Sequence, residues 1–376
     1  MKDNLYYADR LFRIIADSLS GREPDLSGLA EEDFLNIISL SLKHKISGLV
    51  IYALQDVAGL PRPVSDKILS MKNVLIMSEI SRMGKNHEFG LLIKKLEEEK
   101  ISYHVMKGFS ISRKYPKPEL RTMVDTDIFV EKDDFERSCR AIEALGYKEQ
   151  EEYEKSFCHL GYFKRGAYFL EQHFSLGYEK FIGLRKVSDW YDSIIKNRVV
   201  REFEGVRYTA MGDNDEFIFF FIHLKNHFLG MCANLKQILE FPMYLMAGGL
   251  DFDYIKKYID LLELNTLVSP VMYMCRKYFG VSIPGYDGDD GKELAEKLFS
   301  DIALLNDHRL SHIGVPSFTF LPIVRIKALK PLVYLQEILR NLFVCRRGLK
   351  KSFQTARRVC DLFYSRFDLL RALGAI

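Results

Sequence analysis

Apolar residues recur every three or four positions through most of the first hundred residues, and polar residues fill the positions between them. This spacing predicts amphipathic helices over 33–55 and 68–100. The segment "GLPRPVS" separates the two runs, because glycine and proline interrupt helices. We therefore predict an N-terminal helical region over residues 1–100.

From residue 101 the pattern changes to short runs that are rich in β-branched and aromatic residues. The segments "ISYHVMKG" and "MVDTDIFV" predict two strands, and "KDDFERSCRAIEALGY" predicts an amphipathic helix that ends at Gly146. Two further strands are predicted on either side of the "KRG" turn in "SFCHLGYFKRGAYFLEQHFSL", and one short strand in "REFEGVRYTA". We assign residues 101–210 to an α/β core with a small mixed β-sheet.

The helical pattern returns after residue 211. Four apolar segments are expected to stack as a bundle: "NDEFIFFFIHLKNHF", "CANLKQILEFPMYLMA", "DFDYIKKYIDLLEL" and "LVSPVMYMCRKYFG". We assign residues 211–376 to a C-terminal helical domain with a basic tail. The predicted fold class is thus α+β, a small mixed sheet flanked by N-terminal helices and a C-terminal helical bundle.

Composition places the chain among folded proteins, with 376 residues, 48% hydrophobic residues, 28% charged residues and a net charge of +3. The charge is not evenly spread, since residues 321–376 hold twelve Lys and Arg against three Asp and Glu. These basic C-terminal helices either attract phosphate-rich partners such as nucleic acid or form a solvated helical face. Both interpretations stay open at this point.

Several classes of protein are disfavoured by what the sequence lacks. The six cysteines include no CxxC pair, so neither a zinc knuckle nor a disulfide framework is indicated. The first residues contain no apolar core of signal-peptide length, and the most apolar run, "EFIFFFIHL", is far shorter than the roughly 20 residues of a membrane span. We expect a cytoplasmic protein with no membrane span.

Two aspartates stand one residue apart in "LRTMVDTDIFVE", inside a run that otherwise predicts a buried strand. Burying a carboxylate is costly unless a cation meets it. Because side chains alternate across a strand, Asp125 and Asp127 face the same way, about 6–7 Å apart. That spacing suits one divalent ion, or two ions about 3.5–4 Å apart. A half-solvated strand also carries such a pair by chance, so the pair alone does not identify a site.

A third acidic residue, Glu171, lies on the predicted strand "GAYFLEQHFSL" and shares a face with His173. If the two strands are neighbours, Asp125, Asp127 and Glu171 gather into one cluster. Three carboxylates so close would repel strongly without a cation, which predicts Mg²⁺ or Mn²⁺ between them. His173 either supports the carboxylates or is an ordinary strand histidine.

Several residues that precede the acidic strand suit a phosphate. Lys107 and Gly108 close the preceding strand and Ser110 begins the short helix after it, where a glycine and free N–H groups allow an anion to approach. Arg121 precedes the acidic strand and either holds a phosphate or braces a carboxylate.

Two histidines, His223 and His227, lie four residues apart on a predicted helix. This spacing serves helix packing, a nucleotide cleft or zinc. The segment has no HExxH glutamate, which excludes a metalloprotease of that type.

These motifs occur in a familiar order. The segment "VMKGFSISRKYPKPELRTMVDTDIFVEKDDFERSCRAIEALGY" resembles the uncharacterised nucleotidyltransferase family, a bacterial branch of the DNA polymerase beta-like nucleotidyltransferase superfamily. The shared features are a lysine-glycine pair at a strand end, a "YP.P..R" connection, a D-x-D strand and a helix ending in "LGY". The resemblance extends more weakly through "FLEQHFSL" and "IHLKNHF", and it spans roughly residues 35 to 345.

The resemblance implies transfer of a nucleoside monophosphate from a nucleoside triphosphate (ATP among the candidates) to a hydroxyl acceptor. Asp125, Asp127 and Glu171 would hold Mg²⁺ or Mn²⁺, and Lys107, Gly108 and Ser110 would border the triphosphate. The acceptor hydroxyl would attack the α-phosphorus in line, with Glu171 or Asp127 as a general base. Acceptors across the superfamily include small molecules, proteins and RNA, and the sequence selects none of them. The alternative is a catalytically silent scaffold that binds nucleotide or a partner protein.

Overall fold

The computed structural model describes residues 4–123, 125–150, 159–176, 184–229 and 233–305. Its first four helices are α1 Asn4–Leu19, α2 Glu31–Lys43, α3 Ser47–Leu54 and α4 Arg62–Glu98. The break at "GLPRPVS" is confirmed. The single helix predicted over 33–55 is wrong, because Lys45 adopts φ 58° just after α2 and a left-handed residue ends a helix.

One mixed sheet of seven strands forms the centre of the described residues. The strands are β1 Tyr103–Met106, β2 Asp125–Val130, β3 Lys148–Glu149, β4 His159–Phe163, β5 Phe169–His173, β6 Val199–Phe203 and β7 Val206–Ala210. Their order across the sheet is β3-β4-β5-β2-β1-β7-β6. The β2–β5 and β1–β7 pairs are parallel and the others are antiparallel. The α+β prediction with a mixed sheet is confirmed.

The segment predicted as one short strand, "REFEGVRYTA", is a hairpin of two strands, β6 and β7. Its two-residue turn consists of Glu204 (φ 50°) and Gly205 (φ 80°). Positive φ at both turn residues matches the natural twist of paired strands. The single-strand prediction is therefore wrong, although the glycine at the turn was visible in the sequence.

Further helices connect and cover the sheet. They are α5 Gly108–Ser112, α6 Phe135–Ala144, α7 Leu184–Lys196, α8 Asp213–Leu229, α9 Leu235–Ala247, α10 Phe252–Leu261, α11 Asn265–Phe279 and α12 Lys292–Leu305. The predicted stack is confirmed, since α9 packs on α8 and α11, and α10 packs on α8. None of the described helices combines the length and the apolarity needed to cross a membrane. The basic tail over 321–376 lies outside the described residues.

The N-terminal and C-terminal helices share one hydrophobic core. The ring of Phe12 on α1 meets the edges of Tyr278 and Phe299 at centroid distances of 5.3 and 4.9 Å. A second cluster fills the space between the sheet, α6 and the end of α4. The sheet is thus held between two cores, and the predicted domain limits at residues 100 and 210 stay a prediction.

A buried histidine joins α2 to α9 and predicts a pH dependence of stability. His44 is fully buried, and its Nδ1 accepts a hydrogen bond from the N–H of Leu235 at 3.2 Å. Burial lowers the pKa of His44 to about 4, and a hydrogen bond with the backbone of Ala303 offsets only part of this effect. The imidazole is therefore neutral in the folded protein at a pH where the unfolded chain binds a proton.

The pKa of His44 in the folded protein lies below its ordinary value of 6.5. The neutral imidazole therefore makes its full contribution to the free energy of unfolding above that pH. This contribution is lost as the pH falls toward about 4. We expect His44 to account for a loss of about 2–3 kcal/mol in the free energy of unfolding between about pH 7 and pH 4.5. Urea titrations of wild type and of His44→Asn, which keeps an acceptor near the Nδ1 position, measure this share. Equal pH slopes for both proteins would contradict the prediction.

Candidate active site

The sheet brings the three predicted carboxylates together. Strand β2 pairs in parallel with β5 so that Asp127 stands beside Glu171, and Asp125 lies two residues earlier on the same face of β2. One oxygen from each carboxylate lies within 4.8 Å of the others. Asp127 is buried, whereas Asp125 and Glu171 are half-buried. The expected cluster therefore exists, and its role stays a prediction.

An ammonium group sits within this cluster. Lys107 follows β1, which pairs antiparallel with β2, and its Nζ lies 2.6 Å from Oδ1 of Asp127. Its backbone adopts φ 50° and ψ −113°, a conformation that non-glycine residues rarely hold outside functional sites. Burial alone would lower the pKa of Lys107, but Asp127, Glu171 and Asp125 outweigh burial and raise it. The lysine is therefore charged.

A histidine bridges two of the carboxylates. Nε2 of His173 lies 3.0 Å from Oδ1 of Asp127 and 3.4 Å from Oε2 of Glu171. Burial would raise the pKa of Glu171, but the hydrogen bond from His173 and the charge of Lys107 lower it well below its usual range. Glu171 is therefore an ionised carboxylate at neutral pH, and His173 contacts the cluster directly.

The cluster fits a hard divalent cation. Mg²⁺ takes oxygen ligands at about 2.1 Å, so oxygens on opposite sides of the ion are about 4.2 Å apart. Carboxylate oxygens within 4.8 Å of one another need only small side-chain movements to reach that spacing. The Lys107 ammonium, 2.6 Å from Asp127, is already an internal cation, so the site accommodates positive charge.

The side chains predicted to face a triphosphate are held by buried glutamates. Oγ of Ser110 donates to Glu216 on α8 at 2.5 Å, and Nε of Arg121 donates to Glu240 on α9 at 2.9 Å. Arg121 therefore braces a carboxylate, but that carboxylate is Glu240 rather than one of the cluster. Gly108 is buried beside the backbone of Asp125. Their contact with nucleotide stays a prediction.

Helix α8 places His223 near enough to Lys107 and His173 to sense their charges, and His227 lies against His223. The rings of His223 and His227 are 4.1 Å apart, and both are half-buried. Burial, followed by the charge of Lys107, lowers the pKa of His223 well below its usual range, so this imidazole is neutral. Neither histidine belongs to a group of three potential metal ligands in the described part of the chain.

Two residues near the site were not predicted from the sequence. His159 on β4 stands opposite His173, with ring centroids 4.9 Å apart. Lys236 on α9 is near enough to Arg121 and Asp125 to sense their charges, and burial lowers its pKa to about 8. Strand pairing between β4 and β5 and the packing of α9 bring them here. In the sequence, the only local sign of His159 was the alternating pattern of "CHLGYF", which is similar to that of "EQHF".

The ammonium of Lys107 leads to the prediction that added metal ions change the free energy of unfolding. Replacing Lys107 with Met removes the ammonium from buried Asp127, while His173 still contacts this carboxylate. We expect the metal-free variant to lose about 2 kcal/mol in the free energy of unfolding, the contribution of a charged hydrogen bond. Added Mg²⁺ or Mn²⁺ should restore more stability to Lys107→Met than it adds to wild type, as measured by urea denaturation.

The matched control is Lys114→Met, which removes another buried ammonium, 3.1 Å from Asp213 and outside the cluster. Metal should give this variant no larger gain than wild type. A metal response that is the same in Lys107→Met and Lys114→Met would show that Lys107 does not occupy a cation site.

The sheet, the helices that cover it and the acidic cluster define an α+β protein with a candidate metal centre. A family model described as uncharacterised nucleotidyltransferase matches residues 30–280, and the chain belongs to this family. The resemblance noted in the sequence is confirmed. None of the curated proteins compared with the chain matches it.

Among solved structures, an antigenic nucleotidyltransferase-like protein from Paracoccidioides brasiliensis is similar over 52% of this chain and 91% of that chain. The sequence identity is 11% and the TM-score is 0.34.

Proposed function

We propose that this chain transfers a nucleoside monophosphate from a nucleoside triphosphate to a hydroxyl acceptor, with Mg²⁺ or Mn²⁺ held by Asp125, Asp127 and Glu171. The observation that carries the proposal is the convergence of these carboxylates, from two adjacent strands, around a buried ammonium. Membership in the uncharacterised nucleotidyltransferase family supports a nucleotide as the substrate. A DNA polymerase beta-like relationship is part of the same proposal.

The surroundings of Asp127 and Glu171 favour a particular role for each in the proposed reaction. Asp127 is fixed by Lys107 and His173, so it is an oriented ligand. The low pKa of Glu171 makes it a weak proton acceptor and favours a ligand role over that of a general base. When bound, divalent ions would neutralise phosphate charge and favour loss of the acceptor's proton.

Cationic side chains close to the carboxylates suit a triphosphate. Lys107 would exchange its contact with Asp127 for one with a phosphate when an ion takes its place. Lys236, with a pKa of about 8, would regain full charge beside an anion, because the anion offsets the burial that now disfavours its charge. Positioning and charge compensation supply most of the catalysis in such transfers.

The proposal is tested by incubating the full chain with each α-labelled nucleoside triphosphate, Mg²⁺ or Mn²⁺, and fractions of a cell extract. Label is expected in one acceptor class, protein, RNA or small molecule, together with release of pyrophosphate. A parallel reaction with γ-labelled triphosphate serves as the control and should leave the acceptor unlabelled. Transfer of the γ-label instead, or no transfer with any triphosphate, would reject the proposed reaction.

One observation favours a second candidate, a catalytically silent nucleotide-binding or partner-binding scaffold. Lys107 and His173 already satisfy Asp127 without any ion. A scaffold would bind nucleoside triphosphate at equilibrium, and its affinity would not depend on Mg²⁺ or Mn²⁺. Titration of nucleotide with and without metal, combined with the transfer reaction above, separates the two functions.

A further inference from the structure

A second group of potential metal ligands adjoins the acidic cluster. His159 on β4 stands directly opposite His173 on β5, because the two strands pair antiparallel in this register. Glu171 lies two residues before His173 and shares its face of the sheet. One ligand atom from each of these three residues lies within 4.8 Å of the others. The strand register therefore assembles two imidazoles and one carboxylate on a single face.

The spacing of the donor atoms suits a single ion. Two ligands at about 2.1 Å from a tetrahedral ion are about 3.4 Å apart. Nε2 of His173 lies 3.4 Å from Oε2 of Glu171, and Nε2 of His159 lies 3.9 Å from Oε1 of the same carboxylate. The two nitrogens thus approach different oxygens of one carboxylate at nearly the separations that coordination requires.

The donor set differs in chemistry from the acidic cluster. Imidazole nitrogens favour borderline transition-metal ions, whereas an all-carboxylate set favours Mg²⁺. Three protein ligands leave coordination positions open, as in catalytic rather than structural sites. The side chains of His159 and Glu171 keep 16% and 18% of their surface exposed, so an ion can enter from solvent.

We propose that His159, Glu171 and His173 form a second metal site, which binds a transition-metal ion of the Zn²⁺ or Co²⁺ class in preference to Mg²⁺. Glu171 is shared with Asp125 and Asp127, so it links the two sites. The nitrogen of His173 that now contacts Asp127 turns to the ion, and Asp127 keeps its contact with Lys107 while the acidic cluster itself holds no ion. The second site is defined by its own three residues and does not depend on the proposed transfer reaction.

The competing account is that both imidazoles serve only as neighbours that orient Glu171 and Asp127 through hydrogen bonds. This account predicts that Co²⁺ and Zn²⁺ bind through carboxylates alone. It also predicts that loss of His159 weakens Mg²⁺ and Co²⁺ binding to the same degree. The two accounts therefore differ in a binding measurement that involves no turnover.

The test uses the metal-stripped full chain, titrated with Co²⁺ and followed by visible absorption, with Zn²⁺ binding measured by calorimetry. Removing a neighbour of a metal ligand typically weakens binding 10–100-fold, so removing a ligand should weaken it by about 100-fold. We expect His159→Ala to show this loss for Co²⁺ and Zn²⁺ but a much smaller loss for Mg²⁺. His159→Gln is a second variant that preserves side-chain volume, and circular dichroism verifies that both variants fold.

Two controls fix the interpretation. His87→Ala removes an exposed imidazole on α4 and should bind Co²⁺ as wild type does. Asp125→Asn changes the acidic cluster alone and should retain the Co²⁺ spectrum while losing transfer. Unchanged Co²⁺ and Zn²⁺ affinity in folded His159→Ala or His159→Gln would overturn the second site. Intact Co²⁺ binding through His159 in a chain that transfers no nucleotide would reject the proposed function and leave the second site standing.

Discussion

Replacing Asp125 with Asn is expected to lower nucleotidyl transfer by about 10³-fold while leaving the fold intact. The carboxylate is one of three that would hold the divalent ions, and such ions stabilise phosphoryl-transfer transition states by several kcal/mol. An amide of the same size carries no negative charge and is a poor ligand for Mg²⁺. Asp125 is half-buried at the start of β2, so the change leaves the strand pairing in place.

The measurement is the initial rate of α-label transfer at saturating triphosphate, with the melting temperature as a check on folding. Asp133→Asn is the matched control, because Asp133 is an exposed aspartate just after β2 and outside the cluster. Its rate should equal that of wild type. If Asp125→Asn kept more than about a tenth of the wild-type rate, the assignment of the metal ligands would be wrong.

The largest expected effect on stability comes from the buried ion pair between Arg121 and Glu240. Each of these side chains is only 7% exposed, and Tyr115 also donates to Glu240 at 3.2 Å. Replacing Glu240 with Leu leaves the guanidinium buried beside Lys236 without the carboxylate that offsets both charges. Removing one partner of a buried pair costs about 3–5 kcal/mol in the free energy of unfolding.

Urea denaturation of Glu240→Leu measures this loss. The double variant Arg121→Met/Glu240→Leu removes both charges and should recover most of the stability, because a buried pair replaced by apolar groups is often neutral. Glu98→Leu, at an exposed glutamate near the end of α4, is the control and should change stability by less than about 0.5 kcal/mol. A loss below about 1 kcal/mol in Glu240→Leu would show that the pair does not secure α9 to the segment that precedes β2.

Much of the candidate site follows from strand alternation. The period of two places Asp125 and Asp127 on one face from local sequence alone. The position of Glu171 beside them depended on two strands being neighbours, and the apolar runs that contain these acids were the only signal. The structure brings the three together because β2 and β5 pair in parallel with Asp127 beside Glu171.

Other features depend on contacts between distant segments. Ser110 and Arg121 carry the chemistry of phosphate ligands, but their partners Glu216 and Glu240 lie more than a hundred residues away. No local pattern specifies which buried carboxylate meets which cation. His159 was missed for a related reason, since its place opposite His173 is a matter of strand register. Registers follow from packing across the whole sheet.

The turn at Glu204 and Gly205 was not predicted, for a different reason. The sequence contained the glycine that a tight two-residue turn requires, but the flanking runs are too short to separate into two strands by periodicity alone. Lys45 is similar, because a lysine gives no sign that it will adopt a left-handed conformation. One or two residues with positive φ thus interrupted each of two elements whose hydrophobic patterns had been interpreted as continuous.

The ammonium of Lys107 within the acidic cluster has a consequence for how the protein is made. Three carboxylates on neighbouring strands would oppose sheet formation, but this lysine follows the strand next to β2 and supplies a counter-charge as soon as β1 and β2 pair. Folding therefore does not require a bound metal ion. In the proposed enzyme, binding of the divalent ion would be a later and reversible exchange of one cation for another. A newly synthesised chain thus carries its own counter-charge for Asp127.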